Sequence, residues 1–183
     1  MIKTKLILAL TIVALLAAPL WAKGPKRPKG PSASSGITEV EKANILYLYE
    51  EEKLAHDIYV QMYNTYGAFI FDNISESEER HMAAVAKLII KYGLDTTILG
   101  NEPSTFSNGD IQDLYGQLLA KGQENLISAL EVDVEIEEMD IADIERMLEE
   151  TDKRDIKRVL TNLLNSSNNH LDAFNTQLGL VSK

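Results

Sequence analysis

An all-α fold is what this sequence predicts: four long helices packed as a bundle, with a long crossover between the second and the third. Three observations carry that expectation. After Gly36 the apolar residues recur at spacings of three and four, not two. Four such segments are bounded by cap-forming residues and glycines. The first–second and third–fourth connections are short and make antiparallel neighbours, whereas about thirty residues, 93–123, separate the second from the third. No stretch alternates convincingly as a strand.

Residues 1–22 read as a signal peptide. Lys3 and Lys5 precede the apolar run "LILALTIVALLAAPL", and "LWA" ending at Ala22 is a cleavage site made imperfect by the bulk of Leu20. The alternative is an uncleaved N-terminal membrane anchor touching lipid, since 6–22 nearly reaches spanning length. Both readings place the rest of the chain in the periplasm or outside the cell. Residues 23–36, "KGPKRPKGPSASSG", have the composition of a flexible linker, and 37–183 form one domain.

Charge and cysteine content narrow the chemistry. Six of the 18 basic residues lie in 1–36 without any acid, so the domain carries 12 basic against all 28 acidic residues, a net −16. Such a domain repels nucleic acid and attracts metal cations. With no cysteine there is no disulfide, thiolate metal site or thiol nucleophile. Any metal is therefore held by carboxylate and imidazole.

The first helix, "TEVEKANILYLYEEEKLAHDIYVQMYNTYG", opens with the capping-box pair Thr38 and Glu41 and stops at Gly67. Its inward row reads Ile45, Leu48, Ala55, Tyr59 and Met62. The second is expected from about residue 73 to 92, with Asn73 or Ser75 supplying the cap and Gly93 the stop. The crossover holds turn signals, "LGNEPSTFSNGD", and one short helical pattern, "IQDLYGQLLAKG". The third lies within "ENLISALEVDVEIEEMDIADIERMLEE". The fourth is expected from about 153 to 178, capped by Thr151 or Asp152 and stopped by Gly179.

Several acids fall on faces that should be apolar, where an unpaired carboxylate is costly. In the first helix Glu52 is in register with Ile45, Leu48, Ala55 and Tyr59; Glu51 fits almost as well, with Leu48, Ala55, Ile58 and Met62. In the second, Glu78 and His81 share a face, about 60° apart at ~100° per residue. In the third, Glu137 sits in the row Leu130, Val134, Ile141, Ile144 and Leu148, with Asp140 on the same side and Glu138 looking outward. In the fourth, His170 follows Leu163 and Ser167 and precedes Phe174. A pair of divalent ions would neutralise this set at once; iron, manganese and zinc all suit oxygen and imidazole donors.

These residues resemble the ferritin-like superfamily. "EKLAHDIY" is similar to the rubrerythrin-type Glu-x-x-Ala-Arg-x-x-Tyr, which favours Glu52 over Glu51, and "EERH" matches the Glu-x-x-His of its second helix. A closer resemblance is to an uncharacterised ferritin-like family of bacteria and archaea that carries "EEKLARDVY", "SEQRHM", "IEELDI" and "SRNHLRAF", here "EEKLAHDIY", "SEERHM", "IEEMDI" and "SNNHLDAF". The resemblance implies a ferritin-like four-helix bundle with a dinuclear site. Glu52, Glu78 and His81 would form one half, and Glu137 and His170 the other. The implied cofactor is di-iron, with manganese or zinc as alternatives. The chain departs from the pattern at Ser167, three before His170, where a second Glu-x-x-His would place glutamate; Asp140 is the candidate replacement. His56 stands where the relatives have Arg.

Two functions compete for this site: a ferroxidase- or peroxidase-like redox enzyme, and a metal-binding or storage protein without turnover. A purely structural or interaction bundle needs basic partners for the inward acids, and the helix faces offer few, with Arg80 and Arg158 the best candidates. A homo-oligomer is compatible with the sequence, which carries no readable signature of it.

Overall fold

The computed structural model describes residues 36–183. The expected signal peptide and linker lie outside the described residues. Five α-helices make up the domain: α1 (Glu39–Tyr66), α2 (Phe69–Tyr92), α3 (Gly109–Gly122), α4 (Leu126–Glu150) and α5 (Arg154–Val181). A 3-10 turn covers Thr97–Gly100, and no strand occurs among the described residues. Helices α1, α2, α4 and α5 are the four long ones. Each packs against two others: α1 against α2 and α4, and α5 against α4 and α2. The short α3 lies across α1 and α4.

Local chemistry explains most boundaries. Thr38 and Glu41 close a reciprocal capping box at the start of α1. Gly67 and Gly93 end α1 and α2 with φ of 65°, a left-handed conformation that costs glycine nothing. Two boundaries differ from the sequence expectation. Helix α2 begins at Phe69, with Ala68 as an N-cap that makes no side-chain bond, so Asn73 and Ser75 are interior residues. Burial of Phe71 and Ile74 decides this: extending the helix back to Phe69 inserts Phe71 between Tyr66 and Phe174. Helix α5 runs through Gly179 to Val181, because Leu178 and Val181 still pack against the core. Thr151 is buried, donating its hydroxyl to Glu41 while accepting the Lys153 amide, and Lys153 occupies the N-cap position.

The crossover is tied down by charged residues of α1. Glu50 accepts the backbone N–H groups of Ser107 and Asn108, directly before α3. Buried Lys53 pairs with Asp57 and donates to the Glu102 carbonyl at 3.0 Å. Asp57 in turn accepts the Ser104 amide, at the left-handed turn where φ is 64°. At the far end Tyr66 donates to the Gly122 carbonyl. A Cβ on Gly122 would sit 2.4 Å from Met62 Cε, so a larger residue at this close approach of α3 to α1 would displace the end of the Met62 side chain.

The apolar core is split in two. One cluster contains Ala55, Tyr59, Phe71, Ile74, Leu130, Ile136 and Phe174; the other contains Leu48, Val85, Leu88, Ile144, Met147 and Leu163. Along all four long helices the polar residues Glu52, Glu78, His81, Glu137, Asp140, Ser167 and His170 fall between the two, and each is at most 8% exposed.

Gly179 is exposed, helical and free of neighbours within 4 Å of an added Cβ. Gly179→Ala is expected to stabilise the domain by about 0.5–1 kcal/mol in urea unfolding. A loss of stability would mean that the residue terminates the helix after all.

Candidate metal centre

Three consecutive glutamates on α1 illustrate how helical rotation of ~100° per residue distributes one sequence motif. Glu50 faces the crossover and binds backbone amides there. Glu51 is half-buried at the α1–α4 side, with Oε2 enclosed and unpartnered. Glu52, 2% exposed, enters the bundle interior.

From α2, Glu78 and His81 project to the same place, one turn apart. Burial of Phe71 and Ile74 orients that face. The two oxygens of Glu78 divide between two imidazoles: Oε2 is 2.7 Å from His81 Nδ1 and Oε1 is 2.8 Å from His170 Nδ1. Glu52 Oε2 reaches His81 Nδ1 at 3.1 Å, and Glu137 Oε1 lies 3.5 Å from His170 Nδ1. Two groups result, Glu52–Glu78–His81 and Glu78–Glu137–His170, in each of which the potential ligand atoms lie within 4.8 Å of one another. Glu78 belongs to both. The imidazole rings stack at 5.5 Å with 25° between their planes.

Atoms that lack partners show what the arrangement fits. Glu52 Oε1, Glu78 Oε1 and His170 Nδ1 are buried without a hydrogen bond. Glu78 Oε1 and His170 Nδ1 are close but not aligned for a bond to each other, so they converge on shared space. Lone pairs buried in that manner cost free energy unless something accepts them. A divalent cation does so, and oxygen with one imidazole per ion is a donor set for iron, manganese or zinc.

Surrounding groups fix these side chains. Tyr59, fully buried, donates to Glu137 Oε1 at 2.8 Å and packs its ring 5.2 Å from Phe174. His170 Nε2 lies 3.2 Å from Ser166 Oγ, which approaches Ser77. Ser167 donates to Asp140 Oδ2 at 2.6 Å and to the Leu163 carbonyl. Asp140 thus stands beside Ser167, but belongs to neither group of converging atoms. His56 turns to Asp57, at 2.9 Å.

The inner face of α4 is rotated from the expected row. Leu130, Asp133, Glu137, Asp140, Ile144 and Met147 are buried, whereas Val134, Ile141 and Leu148 are half-buried. The sequence row took the apolar choice at each alternate step and so overlooked Asp133. That residue is wholly buried and neither carboxylate oxygen has a partner. Its spacing of four before Glu137 was the available signal.

Electrostatics follow the geometry. Burial pushes the Glu52 carboxyl well above its usual range, and the charges of Asp140 and Glu78 add to the effect. Burial would raise Glu78 too, but the imidazoles of His170 and His81 outweigh it and hold the group at about 2. For His170, burial opposes the charged form, yet Glu137 and Glu78 lift it to about 9. Burial also raises Glu137, Asp140 and Asp133.

Fold and site together define a class: an α-helical bundle with a buried, bridged carboxylate–histidine cluster. The chain belongs to the family described as "Uncharacterized protein domain (DUF2202)", whose model matches residues 41–181. It is 42% identical over 147 residues to the uncharacterised protein MJ0754 of the archaeon Methanocaldococcus jannaschii, covering 80% of this chain and 77% of that one. The crystal structure of hypothetical protein MJ0754 superposes with a TM-score of 0.78 at 40% identity, covering 86% and 87% of the two chains.

The pKa shifts give a direction for metal-free protein. Glu52, Asp133, Glu137 and Asp140 have folded values above their unfolded ones, so their contribution is full below about pH 4 and lost as pH rises through the folded values. The His170 contribution is full below its unfolded value of 6.5 and lost as pH rises through about 9. Glu78 acts oppositely, contributing above 4.5 and losing this as pH falls toward about 2. Chelator-treated protein is therefore expected to melt at a higher temperature near about pH 5 than near about pH 8. The reverse order in a thermal scan would contradict these assignments.

Proposed function

We propose that this protein is a ferritin-like metal protein holding two divalent ions, iron foremost, with Glu78 bridging them. Glu52 and His81 would complete one side, and Glu137 and His170 the other. The observation that carries the proposal is the division of Glu78, one oxygen toward each imidazole, with buried unpartnered atoms facing the same space. Bound iron would supply electron exchange with O₂ or peroxide, for which the class of ferroxidase- and peroxidase-like reactions is the reading we favour.

The chain's own residues would bind, orient and shield. The two apolar clusters exclude water from both ends of the polar layer. Tyr59 would fix Glu137 through its hydroxyl, and Ser166 would orient the His170 ring through Nε2, as groups behind metal ligands do elsewhere. Ser167 in place of a glutamate leaves the second side with one carboxylate fewer, and this favours a second reading in which metal is held without turnover. The N-terminal segment completes the proposal with export, cleavage after Ala22 and a periplasmic or secreted domain.

Metal analysis of the purified mature protein tests the core of this proposal. Two ions per chain are expected after reconstitution with Fe(II), Mn(II) or Zn(II), each adding a stabilisation of about 2.7 kcal/mol at ion concentrations ~100-fold above Kd. Glu78→Gln should lose both ions, whereas Glu52→Gln should lose one. Negligible metal in the parent protein would refute the site. With two ferrous ions bound, absence of oxidation by O₂ or peroxide would select holding over turnover. A mature N-terminus at Lys23, read by mass spectrometry, checks export.

A further inference from the structure

The two groups of ligand atoms lie inside the bundle, each contributing residue at most 8% exposed, so any ion has to cross a protein wall to reach them. Moving a bare divalent ion through an apolar wall is prohibitive, and a path must replace lost hydration with oxygen donors. Two opposite walls differ in what they offer.

Between α1 and α4 lies a narrow slot. Five carboxylates line it, Glu51, Glu52, Glu78, Glu137 and Asp140, together with apolar side chains of α1 and α4 and Leu114 of α3. Its space is about that of a single water molecule. Glu51 Oε2, Glu52 Oε1 and Asp140 Oδ1 are buried acceptors without partners along this slot. Glu52 and Asp140 are more than nine-tenths buried, at 2% and 8% exposure. Asp140 is held there by Ser167 on its other oxygen, which leaves Oδ1 free for the slot. Arg146, whose charge acts on Glu51, is itself engaged by Asp143 and Glu150 at 2.6 and 3.0 Å.

The α2–α5 wall has the opposite character. Its surface groove is lined by Lys87, Lys91 and Arg158, with Asp155 the only acid. Like charges there repel an approaching cation, whereas the slot's carboxylates concentrate it.

We propose that the α1–α4 slot is the access route for divalent cations, with Glu51 and Asp140 as a transit site in which an ion exchanges water for carboxylate oxygen before settling. This rests on the metal-site reading above and adds to it the path and the direction of loading. The slot gives the crossover a use: Glu50 anchors the start of α3, and so holds Leu114 against the slot. The residue that occupies the missing-glutamate position also acquires a role, because Ser167 keeps Asp140 turned toward the slot and outside both ligand groups.

The test is stopped-flow uptake of Co(II) by metal-free full-length mature protein, with end-point stoichiometry measured alongside the rate. Glu51→Gln is expected to slow association about 10-fold, and Glu51→Lys further, with the final metal content unchanged. Asp140→Asn should also slow uptake and keep the end point. Glu138→Gln removes the same charge from the exposed face of α4 and should associate at the parent rate, which separates a local route from bulk attraction. Parent-like rates for both Glu51 variants, or equal slowing by Glu138→Gln, would overturn the route while leaving the metal site intact. Loss of an ion from Asp140→Asn at the end point would make it a resident ligand and overturn its transit role. A parent protein that takes up no Co(II) would overturn the metal-site reading, and the route with it.

Discussion

Burying Glu52, Glu78 and Glu137 against one another is the constraint on which the rest of this structure depends. Three carboxyl groups from three helices meet two imidazoles at the mid-height of the bundle, in a layer that separates two apolar clusters. Such a layer cannot be stabilised by transfer of apolar surface from water. It needs either proton uptake by the acids or positive charge delivered among them. The imidazoles meet part of this need, and their effect is concentrated on Glu78, the carboxylate of this layer held far below its usual range. The remaining acids are left raised, and that residual demand is one a bound cation could meet.

The apolar clusters on either side give the layer its geometry. Tyr59, Phe71 and Phe174 pack together below it, and Leu48, Val85, Ile144 and Leu163 fill the space above. With both ends filled, the helices have little freedom to slide, so residues one turn apart such as Glu78 and His81 keep their register with partners on α1 and α5. Tyr59 bridges the two kinds of packing: its ring belongs to the apolar cluster and its hydroxyl to the acidic layer.

The crossover is part of the same design. Its length lets α4 return beside α1, and charged residues of α1 then fasten it: Glu50 at the start of α3, Lys53 and Asp57 in the preceding loop. The run Glu50–Glu51–Glu52 therefore serves the loop, the slot and the centre in succession. A motif that looks uniformly acidic in one dimension becomes three separate environments once wound into a helix.

The sequence by itself determined the helical class, the capping box at Thr38, the glycine stops at Gly67 and Gly93, and the presence of carboxylates and imidazoles on inner faces. Those features depend on neighbours a few residues away. It misjudged the start of α2 and the end of α5, where burial of Phe71 and packing of Leu178 and Val181 prevailed over cap and breaker signals. It also rotated α4 by one position and missed Asp133, because an apolar candidate stood beside each polar one and periodicity cannot distinguish them. Only the tertiary structure decided that Glu78 would be shared between two imidazoles, that Asp140 would bond Ser167 rather than join either group, and that Glu51 would face the slot. Each of those outcomes depends on how four helices rotate against one another, and that rotation is set by side-chain packing between segments far apart in the chain.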